Sequence, residues 1–448
     1  MGLTMLHLGL GAFHRAHQAV VLQRLIDEGD ADGPSWSIAA GNLRQELSDT
    51  AVLLAQQNHA YTVQTVSPDG ERHHQRVTSI QHTIPFDPSA SALIQIGAQP
   101  TTRIISCTVT EAGYEVVPGH VDDVQTLYGA LMAILRERMR RYGGAVTLLS
   151  CDNVRHNGDR LRAGLMQAID LVGDMALRTW VEAHTTSPNS MVDRITPRPP
   201  ADLPGRVHMA TGWKDAAPVM AEAYLQWVIE EEFCNGRPPW ERVGVQMVAN
   251  VTPFEEAKIR MLNASHSLLA WAGALAGHTF IDEAARDARI LAMAQSFLTE
   301  EVMPCLNLPE APSPVDLPSY RDAVLSRFGN AALADTVQRV ASDSYAKLPG
   351  FIAPTLRQRL DRGWSIAHSA ILPALYLGFL MRWHRGELSF DYQDQVLSSG
   401  QGHAMCSAKD PVECLCTDRA LWGAHAGNAS LTRAVRRAYA QVRAMYER

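Results

Sequence analysis

The stretch HLGLGAFHRAH, residues 7–17, decides how the amino-terminal half of the chain folds. It overlaps MLHLGL, residues 5–10, a short apolar run that predicts a buried strand. Gly9 and Gly11 follow at once, where glycine permits a tight turn and lets a phosphate approach the backbone. RAHQAVVLQRLIDE, residues 15–28, predicts a helix that begins near Phe13–Arg15 and stops near Gly29. The free N–H groups and positive dipole end of that helix face the glycine turn. Strand, turn and helix in this order point to dinucleotide binding, with a purely structural turn as the alternative. The third glycine of GxGxxG is absent, because His14 stands there. The acid expected after the second strand is also missing: Asn42 ends that strand, and Glu46 is the nearest acid.

Working outward, WSIAAGN (36–42), TRIISCTVT (102–110) and AVTLLSC (145–151) read as further short strands, with a helical stretch over 122–142. This alternation predicts a parallel α/β sheet. Beyond residue 250 most segments read as helices, interrupted by PEAPSP at 309–314. The expected organisation is an α/β Rossmann-type parallel-sheet domain over 1–246 and a mostly α-helical domain over 247–448.

Bulk properties set bounds. At 448 residues, 46% hydrophobic and 19% charged, the composition is that of a globular protein with ample core. A net charge of -7 and no long basic run argue against a nucleic-acid partner. No apolar run reaches the ~20 residues needed to span a bilayer, and no signal peptide is read, so a cytoplasmic location is expected. Seven scattered cysteines fit reduced thiols, and Cys414 and Cys416 have neither zinc-ligand nor CxxC spacing.

KIRMLNASHSLLAW, residues 258–271, is an apolar helix that carries Lys258, Asn263 and His266, with Glu255 just before it. Polar groups are costly to bury unless they have partners. In an ideal α-helix, with Lys258 at zero, Glu255 falls at about 60°, His266 at about 80° and Asn263 at about 140°. All four then share one arc, although His266 stands ~12 Å along the axis from Lys258 unless the first turn is distorted. A solvated first turn is the bland reading. The chemical one is oxidation of a secondary alcohol: lysine as base, asparagine as oxyanion donor, histidine orienting the hydroxyl, and Glu255 passing the proton to solvent. That scheme requires no metal.

Other stretches add candidates. SCDNVRHNG (150–158) is a loop after an apolar strand, where Asn153 is a second oxyanion donor or part of an Asx-turn. In MVDRITPRPP (191–200), Asp193 and Arg194 are adjacent: either a surface salt bridge, or a rigid proline-rich loop presenting Asp193 to a hydroxyl. In QRVASDSYAKLPGF (338–351), Arg339 and Lys347 are eight residues apart, so both fit one helical face, with two solvated cations as the alternative.

Taken together, GxGxFHRAH at 9–17, TVTEAGY at 108–114, SCDN at 150–153, MVDRI at 191–195 and KxxxxNxxH at 258–266 resemble the polyol-specific long-chain dehydrogenase/reductase (mannitol dehydrogenase) family over nearly the whole chain. The resemblance implies an NAD-dependent, reversible oxidation of a sugar alcohol to a ketose. Lys258 would be the base, Asn153 and Asn263 the oxygen-polarising amides, and His266 would position the alcohol. Glu255 would serve the proton path, while Asp193, Arg339 and Lys347 hold the remaining hydroxyls. Cofactor contacts would fall to Gly9, Gly11, Phe13, His14, Arg15, Glu46, Thr110 and Glu111. TVSPDGER, CDNVRHNGDR and EEAKIRMLNASHS look closest to the branch that converts D-arabinitol to D-xylulose. Mannitol oxidation and fructuronate reduction are the alternatives within the family. The resemblance implies two adjacent acids after the second strand, as in mannitol dehydrogenases; here Leu47 follows Glu46, which leaves NADP open as the second choice. A small polyol or ketose is the expected partner, in a monomer or small homo-oligomer.

Overall fold

The computed structural model describes residues 2–29, 35–45, 48–141 and 144–446. The chain divides into two compact units, Met1–Ser67 with Glu71–Thr252, and Pro68–Gly70 with Pro253–Arg448. The described strands are β1 (Leu3–Leu8), β2 (Trp36–Gly41), β3 (Tyr61–Val66), β4 (Arg72–Val77), β5 (Ile80–Ile84), β6 (Thr102–Cys107), β7 (Val146–Ser150), β8 (Thr185–Thr186), β9 (Ser190–Asp193), β10 (Val219–Glu222), β11 (Gln226–Glu230) and β12 (Gln246–Val248). All lie in the first unit.

Six strands form one sheet in the order β5-β2-β1-β6-β7-β8, with every neighbouring pair parallel. Counted within the sheet, this is 3-2-1-4-5-6, the doubly wound dinucleotide-binding order. The strands are buried on both faces, so their sequences read as continuous apolar runs. Met5, Ile38, Ala40, Ile104 and Leu149 face one core cluster. Their alternates Leu6, Leu8, Ala39, Ile105 and Leu148 face the other.

The sequence reading passes over two small sheets, β10-β3-β4 and β12-β11-β9. β4 is RHHQRV, largely exposed, and pairs antiparallel with β3. A polar edge strand has no apolar run to announce it. The proline-rich stretch at 191–200 is likewise not all loop: Ser190–Asp193 is β9, antiparallel to β11, and the irregular chain starts after Asp193. β12 pairs with β11, which keeps the chain in the first unit as far as Thr252.

The second unit is helical. One helical run carries Thr252–Ala257 (α), Lys258–Asn263 (π) and Ala264–Ala276 (α). Ile371–His384 is buried from Ile371 to Leu380. The helix Ala429–Tyr446 lays Leu431, Val435, Ala438 and Val442 against it, a spacing of three and four that makes one apolar stripe. They approach closely at Gly378, where an added Cβ would stand 3.2 Å from Val442 Cγ1.

One buried cation ties together the segments that lead into two inner strands of the main sheet. Arg138 donates to the carbonyls of Gly97 (2.9 Å), Gln99 (2.8 Å), Gly144 (2.6 Å) and Ala145 (2.9 Å). These carbonyls lie on the approaches to β6 and β7. Burial pulls the guanidinium down to about 10, and the charge of Arg103 adds to the fall. Arg138→Met is expected to lower the unfolding free energy by about 3 kcal/mol or more, read by urea denaturation, because several buried carbonyls lose their donors.

Candidate active site

The strand ends of the first unit set the geometry. Leu8 is level with Gly41 on one side and Cys107 on the other, and Cys107 is level with Ser150. The ladder carries one residue further: Gly9 N–H donates to Gly41 O (2.8 Å), Thr108 N–H to Leu8 O (3.0 Å) and Cys151 N–H to Cys107 O (2.9 Å). The glycine turn, Asn42, Thr108–Thr110 and Cys151–Asn153 therefore leave the sheet from one line, at the carboxyl ends of the strands where ligands bind in open α/β sheets.

The glycine turn is specific to glycine at one position and open at the other. Gly9 has φ +112°, and a Cβ there would stand 2.2 Å from Thr108 O. At Gly11 a Cβ would meet only Gly9 O, at 3.9 Å, so the backbone is bare on that side. Gly11 caps the helix Ala12–Ala16, whose first N–H groups have no acceptor within the helix. A phosphate fits such a turn, so the residues present are compatible with a dinucleotide. Asn42 turns out to hold the turn itself: its Oδ1 accepts the Leu10 N–H at 2.7 Å.

Beneath the turn, His7 and His14 stack with ring centroids 3.4 Å apart, both fully buried. His7 bonds Ser106 Oγ (2.8 Å) and Thr108 Oγ1 (2.9 Å), and Thr108 Oγ1 donates to Gly9 O (3.0 Å). Burial holds His7 well below its ordinary range and His14 down at about 3, so both rings are neutral. Arg15 is also turned inward, over the Tyr61 ring, with its guanidinium on Ala217 O. Phe13 is partly exposed and stacks on His17. Glu46 lies outside the described residues.

Asp152, passed over in the sequence reading, organises the next two loops. Its carboxylate accepts the N–H of Val109 (3.0 Å), the N–H of Thr110 (3.1 Å) and the Tyr114 hydroxyl (2.7 Å). Burial raises its pKa, and these donors oppose the rise. Thr110 is held at φ +71°, a left-handed conformation that a β-branched residue rarely adopts. Asn153 is exposed beside it. Glu111 is exposed and pairs with Arg160 at 3.1 Å. Asn157, also passed over, accepts the Ser190 N–H (2.9 Å) and donates to Ser190 O (2.8 Å), fastening this loop to β9. Asp193 is buried at the end of β9. Arg194 donates to Glu222 O (2.9 Å) and Ala16 O.

In the second unit the signature helix departs from the ideal α-geometry. Lys258–Asn263 is a π-helical turn, closed by i→i+5 bonds instead of i→i+4. Lys258 and Asn263 are five apart, about 140° around an α-helix, and the wider π-turn brings them nearer to one face. Lys258 is 6% exposed and Glu255 4%. His266 is largely buried, stacked on Phe328, with Nε2 3.2 Å from Asp335 Oδ2.

Arg339 and Lys347 do not share one helix, contrary to the spacing argument. Val337–Ala341 ends at Ser342, Asp343 takes a positive φ of 53°, and a new helix runs Ser344–Lys347. Lys347 folds back to donate to Val340 O and Ser342 O (2.6 Å). Burial pulls its ammonium down to about 8 against the charge of Asp343, and Arg339 adds to the fall. Arg339 grips Asp335 with two bonds of 2.6 Å. Asp335 was missed although it stands four residues before Arg339, the helical spacing of an acid–base pair. Among the described residues no three His, Cys, Asp or Glu side chains gather at metal-ligand spacing, and no helix is long and apolar enough to cross a membrane.

Residues 3–242 match the model of the mannitol dehydrogenase Rossmann domain, and residues 250–443 that of the mannitol dehydrogenase C-terminal domain. The D-arabinitol 4-dehydrogenase of Ralstonia nicotianae is 48% identical over 98% of this chain and 97% of its own. That of Klebsiella pneumoniae is 46% identical over 98% of each. Among solved structures, the ternary complex of Pseudomonas fluorescens mannitol 2-dehydrogenase with NAD and D-mannitol matches with a TM-score of 0.84 at 33% identity, covering 99% of this chain and 92% of that one.

The two glycines separate fold from site. Gly9→Ala is expected to lower stability by about 2 kcal/mol or more, from its backbone conformation and the clash with Thr108. Gly11→Ala, with room for a methyl, costs about 1 kcal/mol or less. Thermal and urea unfolding of the two variants check this.

Proposed function

As the chain belongs to the mannitol dehydrogenase family of polyol dehydrogenases, we propose that it oxidises a secondary hydroxyl of D-arabinitol to give D-xylulose, reversibly, with NAD in preference to NADP. The observation that carries the chemistry is the π-turn: a buried lysine with an amide donor one π-turn further on. The choice of D-arabinitol rests on the near full-length identity to the two D-arabinitol 4-dehydrogenases.

In this reading residues 1–246 bind the dinucleotide and residues 247–448 supply the base. The dinucleotide diphosphate lies on the Gly9–Gly11 turn at the start of the helix carrying Phe13, His14 and Arg15, with Thr110, Glu111 and Glu46 completing the contacts. A bound nicotinamide supplies the hydride acceptor, and the donor in the reverse direction. Lys258, uncharged, takes the hydroxyl proton as the carbinol C–H bond breaks and the C=O bond forms. Asn153 and Asn263 donate amide N–H bonds to the oxygen as negative charge develops on it. His266 positions the alcohol, and Asp193, Arg339 and Lys347 hold the other hydroxyls. Glu255 relays the proton from Lys258 toward solvent.

Following NADH absorbance over D-arabinitol, D-mannitol and keto-uronates is expected to give the highest kcat/KM with D-arabinitol. A clear preference for a keto-uronate overturns the substrate choice. Lys258→Ala is expected to lower kcat by about a thousand-fold while NADH still binds. Gly11→Ala is expected to weaken NADH binding at least tenfold with the fold kept. The KM for the polyol is expected to rise above about pH 8: Lys347, its pKa lowered to about 8, loses its charge there. A Lys347→Met enzyme, whose KM no longer changes across that range, is the check.

A further inference from the structure

Asp335 is 8% exposed, and no role in the reaction as set out above falls to it. Its backbone is pinned on both sides. Ile281 N–H donates to Asp335 O at 2.9 Å, Phe280 and Thr336 form a β-bridge, and Val337 N–H donates to Thr279 O at 2.9 Å. The carboxylate is therefore a fixed object. Arg339 occupies both of its oxygens, Nε on Oδ1 and Nη2 on Oδ2, each at 2.6 Å. The Oδ2 atom also lies 3.2 Å from His266 Nε2, out of line for a good hydrogen bond, so the carboxylate acts on that nitrogen through its charge at close range.

An ionised carboxylate has lone pairs and no proton to give. The His266 and Arg339 partners hold the Asp335 carboxyl well below the ordinary carboxylate range despite its burial, so it is ionised throughout the working pH range. Burial keeps His266 below its own ordinary value, with Asp335 opposing and Arg339 and Lys347 adding to the fall. A neutral imidazole carries one N–H, and the nitrogen beside a carboxylate is the one that keeps it. Phe328, stacked at a centroid distance of 4.9 Å, fixes the plane of the ring.

We propose that Asp335 is a positioning residue: it keeps the His266 proton on Nε2, so that Nδ1 is a hydrogen-bond acceptor, and it orients the fork of Arg339. Resting on the polyol reading, this makes His266 a receiver of a substrate hydroxyl proton in a hydrogen bond. An alcohol, which donates, is thereby favoured over the ketone, which only accepts, at that contact. One carboxylate thus sets the direction of a histidine and the aim of an arginine together.

The tautomer is read directly. Ring nitrogen shifts of ¹⁵N-histidine-labelled protein, with His266 assigned by the resonance lost in His266→Asn, are expected to show the proton on Nε2 in the wild-type protein without substrate. A proton on Nδ1 overturns the proposal. Asp335→Asn is expected to lose this preference, to raise the polyol KM at least tenfold with a smaller change in kcat, and to leave the NADH dissociation constant unchanged; Asp335→Glu recovers part of the KM. Unchanged tautomer and KM in Asp335→Asn also overturn it. Absence of turnover by the wild-type protein on every polyol counts against the polyol reading alone, because the nitrogen shifts still decide the role of Asp335.

Discussion

Four parallel strands that end level with one another are the constraint on which the first unit depends. The ladder fixes Gly41, Leu8, Cys107 and Ser150 in one row, and the next residue of each strand leaves from that row. A slip of one residue would exchange Met5 and Leu6 between the two cores and move every loop. Because each backbone N–H and C=O in the sheet must be paired, the register is held by many bonds at once. The polar side chains at the row then have a task left to them. Asn42, Thr108 and Asp152 spend their hydrogen bonds on the loop backbone, and the loops acquire one shape.

In the second unit the constraint is the burial of charge. Lys258, Glu255, Arg260 and Asp335 are all buried within the helical unit. Buried charges persist where geometry supplies partners. Arg260 finds Thr355 Oγ1 at 2.9 Å, and Asp335 finds Arg339 and His266. The π-turn belongs to the same solution. An extra residue in the turn costs hydrogen-bond quality, and in exchange residues five apart come nearer to one face.

Much of this was legible in the residues. The glycine turn is marked by Gly9 and Gly11 after an apolar run, and the parallel sheet by short β-branched segments alternating with helices. The KxxxxNxxH spacing marks the helix of the second unit. β4 is polar and on an edge. Asp152 stands next to the candidate Asn153, and its three donors come from a segment about 40 residues away. Asn42 looked like a failed ribose contact until its amide oxygen was seen on Leu10. Arg339 and Lys347 have helical spacing, yet the chain breaks at Ser342–Asp343, because Lys347 gains two carbonyl partners by folding back.

The sequence by itself determined the class of each half, the order of its elements and the position of the glycine turn. These follow from periodicity and from the backbone freedom of glycine, which are local properties. Only the tertiary structure decided which acid faces which base, that a π-turn replaces an α-turn at Lys258, and that Asp335 sits between His266 and Arg339. Such pairings join residues tens of positions apart, and a carboxylate has no signature in the chain until a partner is folded against it.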